Sequence, residues 1–194
     1  MSRFGPAQKL SINTLALILL ASLAGCGKSS GGGGITIAQT DTTGPILTFS
    51  VGVSGNTPVT VTNGGSAQNI NLTSKTGSLN LVANATDSES GVQRVAIWFN
   101  TTTTRCVGTV CTQKGAGLLG APTFDSTSPQ KKAGENTPPQ SILADSVDLS
   151  KEIAQASVPA GSSYSVVLTF WAESVNHLGV VTKSPNITVS WFEQ

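Results

Sequence analysis

From residue 41 onward the chain alternates apolar and polar residues in short runs, and no window between 41 and 140 keeps an apolar stripe at helical spacing over three turns. Such alternation puts successive side chains on opposite faces of an extended strand, so each run has one face to bury. Residues 46–53, 59–61, 78–85, 92–99, 146–149, 164–171, 180–181 and 186–191 read as strands, with at most a turn of helix at 150–156. Without an amphipathic helix to cover a sheet, the sheets must cover one another. The expected fold is all-β, an antiparallel sandwich of about seven strands.

The first 25 residues obey a different rule. Residues 1–9 hold Arg3 and Lys9 and no acid, residues 10–23 are mostly apolar, and the small Ala24 and Gly25 follow, which is the order of an export signal. An apolar core of about 14 residues is shorter than the about 20 a spanning helix needs, and Asn13 and Thr14 interrupt it. Gly27-Lys28-Ser29 is no phosphate loop. The first glycine of G-x-x-x-x-G-K-[ST] would fall on Ser22, and a Gly/Ser run follows in place of a helix.

Leu23-Ala24-Gly25-Cys26 resembles the lipobox of bacterial lipoproteins. The resemblance implies a diacylglycerol on the Cys26 thiol, cleavage just before it, and acylation of the new N-terminus. Each buried methylene contributes about 0.8 kcal/mol, so two or more chains anchor stably where one holds marginally. Gly27 stands where related lipoproteins of double-membraned bacteria carry an inner-membrane retention aspartate, which implies the outer membrane of a bacterial envelope. An ordinary secretory signal with a chance cysteine is the alternative. Residues 26–40 then comprise the lipidated cysteine and a Gly/Ser-rich tether of about 20 Å reach, in which Ile35-Thr36-Ile37 can form a short strand.

Removing residues 1–25, with Arg3 and Lys9 of the 11 basic residues, leaves nine basic against ten acidic residues, a balance of −1. Nucleic acid, which calls for a clustered basic surface, is not an expected partner. Of the three cysteines, Cys26 is assigned to lipid, leaving Cys106 and Cys111 separated by Val107-Gly108-Thr109-Val110. That spacing suits a disulfide across a tight hairpin, worth about 2 kcal/mol in the chain-entropy model. Zinc would need four ligands, and the one histidine, His177, is distant in sequence.

Asp41-Thr42-Thr43-Gly44-Pro45, the run from Ala83 through Asp87-Ser88-Glu89-Ser90-Gly91 to Val95, and residues 164–179 resemble the bacterial immunoglobulin-like or fibronectin type III-like modules of surface proteins. The resemblance implies an immunoglobulin-like sandwich over 41–194, with Trp98 in its core and a tyrosine corner at Gly161-Ser162-Ser163-Tyr164. Residues 101–140 depart from the pattern. They read as a long mid-domain insertion, either functional or without regular structure.

Candidate chemistry is sparse. Gly115-Ala116-Gly117-Leu118-Leu119-Gly120 matches G-x-G-x-x-G but lacks the strand before it and the helix after it that the dinucleotide fingerprint requires. Gly27-Lys28-Ser29-Ser30-Gly31 matches G-x-S-x-G but lies in the tether. His177, in the loop 174–179, reads as exposed, and no serine near a base has a nucleophile's signature, so no catalytic residue is assigned. Asp87, Glu89, Glu173 and Asn176 fall on loops at one end of the assumed sandwich and are candidate calcium ligands of a weak extracellular site. The competing reading is turn chemistry, with Asp87 bonding nearby backbone N–H groups. No other cofactor is expected. Adjacent Phe170 and Trp171 must point to opposite faces.

The chain thus reads as a non-enzymatic, membrane-anchored envelope lipoprotein whose sandwich binds, adheres or supports structure, with an envelope protein or glycan as partner. A substrate-binding accessory or hydrolytic enzyme, using 101–140 as a lid, is the alternative.

Overall fold

A computed structural model describes residues 34–74, 76–116, 123–153 and 160–194. Cys26, the signal segment and most of the G-x-G-x-x-G stretch lie outside the described residues. The elements run β1 (Ile35–Thr36), β2 (Ile46–Val53), β3 (Val59–Thr62), β4 (Gln68–Asn71), β5 (Ser78–Thr86), β6 (Val92–Val107) and β7 (Val110–Ala116). Then follow β8 (Phe124–Thr127), β9 (Asn136–Thr137), β10 (Gln140–Asp148), α1 (Leu149–Ile153), β11 (Ser162–Asn176), β12 (Val181–Lys183) and β13 (Ile187–Glu193).

Two sheets face each other. One has the order β10-β5-β2-β3. The other runs β4-β13-β11-β6-β7, with β12 added to β11 and β8 to β6. The pairings within both sheets are antiparallel except β13 with β4, which is parallel. Alternation decides what enters the core: Leu47, Phe49 and Val51 from β2, Leu79, Leu81 and Ala83 from β5, and Val95 and Ile97 from β6 are buried. Val166, Leu168 and Phe170 of β11, with Ile187, Val189 and Trp191 of β13, close it from the other side. Burying a Leu, Val, Ile or Phe side chain stabilises by about 1.5–3 kcal/mol, and this shared layer holds the sheets together. The all-β sandwich read from the alternation is the fold observed.

The expected insertion is the main correction. β6 does not stop at Phe99 but continues to Val107, because β11 lengthens beside it and pairs it from Val92↔Asn176 to Val107↔Ser162. On its other side β7 pairs from Thr101↔Ala116 to Val107↔Val110. The threonines at 101–104, β-branched and suited to a pleated surface, thus lie between two strands. Residues 124–127 add β8 beside the start of β6, fixed by the Arg94 Nε–Asp125 Oδ1 ion pair at 3.0 Å. β10 likewise begins at Gln140, six residues before the strand expected at 146.

Part of the presumed tether also joins the domain. β1 pairs with β9 through Ile35↔Thr137 and Thr36↔Asn136, and Ile37 behind it is only 2% exposed.

Candidate functional site

The loops named from the sequence do converge on one end of the sandwich, and Asp41 is the residue they converge on. Asp41 Oδ2 accepts the Ser90 hydroxyl at 2.6 Å and the Asn176 Nδ2 at 3.1 Å. Its Oδ1 accepts the Thr43 amide at 2.9 Å and the Thr43 hydroxyl at 2.7 Å. The Thr43 hydroxyl also lies 2.7 Å from Glu89 Oε2, so it can serve either carboxylate. Burial works against the charge on Asp41, but the hydrogen bonds donated by Ser90 and Thr43 outweigh it and hold the carboxyl below its ordinary range.

Asp87 organises the turn between β5 and β6. Its Oδ1 accepts the amides of Glu89 at 3.0 Å, Ser90 at 2.8 Å and Gly91 at 3.2 Å. Gly91 has φ 73°, and a Cβ there would sit 2.0 Å from Thr137 Oγ1 and 2.8 Å from the Pro138 carbonyl, so only glycine fits. The turn-chemistry reading of Asp87 is therefore what the geometry contains.

The four calcium candidates do not form one ligand set. Asp87, Glu89 and Asn176 share this end, but Glu173 lies apart, accepting the Trp171 indole N–H at 3.3 Å. Asn176 has no lone pair to offer: its Oδ1 accepts the amides of Leu178 at 3.1 Å and Val180 at 2.8 Å, and its Nδ2 donates to Asp41 and the Thr43 carbonyl. Among the described residues no three His, Cys, Asp or Glu side chains are placed to hold a metal ion. Asp41, absent from the candidate set, carried one signal, its place at the head of Asp41-Thr42-Thr43-Gly44-Pro45.

His177 is not the exposed loop histidine expected. It is 6% exposed, its amide donates to the Gly91 carbonyl at 3.2 Å, and neither ring nitrogen has a hydrogen-bond partner. The β11 ladder continues to Asn176 and carries the next residue under neighbouring loops, which is why a polar stretch of sequence becomes interior. Burial lowers the imidazole pKa, and Lys131 adds to this. Asp87, Glu135 and the Val92 carbonyl, which falls short of hydrogen-bond geometry, pull the other way. No serine bonds to the ring, so a nucleophilic relay is not assembled among the described residues.

Trp98 is corrected as well. The parity of β6 sends Val95 and Ile97 into the core with Phe99 packed against it, so Trp98 faces outward, half-buried, stacked on Trp171 with ring centroids 6.3 Å apart. Phe170 and Trp171 take opposite faces, as adjacency requires. Lys183 Nζ lies 4.6 Å from the Trp171 ring centroid. Tyr164 lies within β11 with its ring against Trp191 at 6.0 Å, and no hydrogen bond from its hydroxyl is seen among the described residues. Among the described residues the tyrosine corner is not formed.

At the far end of β6, Cys106 and Cys111 face each other in register and form the expected disulfide. Along the open seam between β10 and the β6–β8 side runs a groove of about 460 Å³ with Phe99 and Phe124 in its wall. Asp148, the one acid among its described lining residues, accepts the Ser150 amide at 3.0 Å and hydroxyl at 2.5 Å. Among the described lining residues there is no acid–base pair. Thr123 and Phe124 form part of the groove's wall.

No family model and no curated protein matches the chain. Among solved structures, the sporulation control protein Spo0M from Bacillus subtilis aligns with 74% of this chain and 49% of its own, at 10% identity and a TM-score of 0.27. The chain spans about half the length of that protein, and so distant a likeness carries no argument about function.

Proposed function

We propose that the chain is a bacterial envelope lipoprotein, held through Cys26 in the outer membrane, whose immunoglobulin-like sandwich acts as a binding, adhesion or structural module and not as an enzyme. The observation that carries this reading is the order of its parts. A basic, apolar and small-residue signal ends on Leu23-Ala24-Gly25-Cys26, a Gly/Ser run follows, and then comes a sandwich whose buried carboxylates are consumed by hydrogen bonds within the fold. Polar groups held so fully stabilise a scaffold and leave little free for chemistry.

The geometry supports one presentation of the domain. The end of the sandwich that carries β1 is also where β6 begins, and the sixteen residues of β6 run from there to Val107, about 50 Å away at about 3.3 Å per residue. The far tip carries Val107 and Val110, 58% and 69% exposed, with the disulfide beside them. We take this tip, with its two exposed valines, as the surface an envelope protein or glycan would meet. The test is fractionation of cells expressing the native chain and Cys26→Ser. The native chain is expected in the outer-membrane fraction and the variant to lose its acylated form and leave that fraction; equal retention of both in the outer membrane overturns the proposal.

A further inference from the structure

We propose that His177 is a proton-operated latch, and that its protonation releases β1 and residues 131–139 from the end of the sandwich. These two segments form a clasp, and each grips the other and the domain by few groups. The Ile37 amide donates to the Glu135 carbonyl at 3.0 Å and the Gly134 amide to the Ile37 carbonyl at 3.1 Å. The Ala38 amide reaches the Glu89 carbonyl at 3.0 Å. From the domain side, the amides of Val92 and Asp87 donate to the Pro138 and Pro139 carbonyls at 3.1 and 2.8 Å, and the Thr137 hydroxyl donates to the Ser90 carbonyl at 3.1 Å.

His177 sits directly behind this contact. Its amide holds the Gly91 carbonyl, and Gly91 is the residue against which Thr137 and Pro138 close with no room for a Cβ. The charges acting on the ring come from the clasp, Lys131 and Glu135, and from the β5–β6 turn, Asp87. The clasp's own pair act in opposite senses on an imidazolium, so desolvation decides. A neutral imidazole with neither nitrogen bonded is tolerated here. An imidazolium brings two N–H donors and a charge into a site where neither nitrogen is bonded and the nearby Val92 carbonyl falls short of hydrogen-bond geometry, and it must find water. Of the elements around it, β5, β6 and β11 are tied by long ladders, whereas β1 and β9 share two paired positions. The clasp is therefore the part that yields.

Opening hands residues 34–40 to the tether and extends its reach by up to about 20 Å. This consequence rests on the lipoprotein reading; the opening itself does not. The experiment is hydrogen exchange of the full chain in detergent at about pH 7.5 and about pH 5, with labelling times scaled to equal intrinsic exchange. Peptides covering 34–40 and 131–139 are expected to lose protection roughly tenfold or more at the lower pH, while peptides from β5 and β11 keep theirs. In His177→Phe the loss disappears, and His177→Gln gives the same readout if the Phe variant does not fold. Equal protection of the clasp at both pH values, or the same loss in both variants, overturns the latch. Neither result touches the lipid on Cys26, which is read separately by mass.

Discussion

The Asn176 side chain donates to Asp41 Oδ2 at 3.1 Å across 135 positions of sequence, tying the segment between β1 and β2 to the end of β11. The same carboxamide caps the turn that follows by accepting two amides, so one residue closes both the end of the sandwich and its last loop.

Asn176→Ala leaves the Thr43 carbonyl and the Leu178 and Val180 amides without this partner, and Asp41 loses one of its donors. The expected loss is about 2–4 kcal/mol, read as a lower urea midpoint with an unchanged slope. A change under about 0.5 kcal/mol contradicts the clamp.

Stability has two separate acid-sensitive windows. Asp41 has a folded-state pKa below its unfolded value of 3.8, so its contribution is complete above that value and lost as pH falls through the folded value. His177 is lowered from 6.5, so below that pH the unfolded chain takes up the proton first and stability falls as pH falls. Tm measured against pH is expected to decline in both windows in the native protein. His177→Phe flattens the upper window alone, and Asp41→Asn the lower one alone.

Gly91→Ala meets both a left-handed backbone and the Thr137 side chain. The left-handed backbone by itself costs about 1–2 kcal/mol, and the clash adds to it. Combining it with Thr137→Ala recovers part of the loss but not all, because the Pro138 carbonyl would still lie 2.8 Å from the new Cβ. Full recovery in a melting experiment contradicts this packing.

Replacing Cys106 and Cys111 with Ser is expected to lower stability by about 2 kcal/mol, the value for so short a loop. Increased exchange should be confined to β7 and the adjoining end of β6. Exchange rising equally through β2 and β5 contradicts a local role for the bond.

The core was legible wherever one strand face is apolar: Leu47, Phe49 and Val51 alternate with polar residues, and so do Leu79, Leu81 and Ala83. The outer half of β6 was not, because Thr101, Thr102, Thr103 and Thr104 show no two-residue pattern and become strand only when β11 and β7 supply partners. Trp98 was misplaced by one residue of parity, which moves a side chain from one face of a sheet to the other. The Asp87 turn could be read locally, since its partners lie within four residues. Asp41 and the burial of His177 depend on segments joined only by the fold, so spacing alone left both hidden.

The most direct test of the central claim is the mass of the N-terminal peptide of the protein purified from its own membrane. A chain beginning at Cys26, with a diacylglycerol on sulfur and an acyl group on the new amine, is the expected result. An unmodified Cys26 thiol, or a mature chain that still carries residues 1–25, contradicts the account.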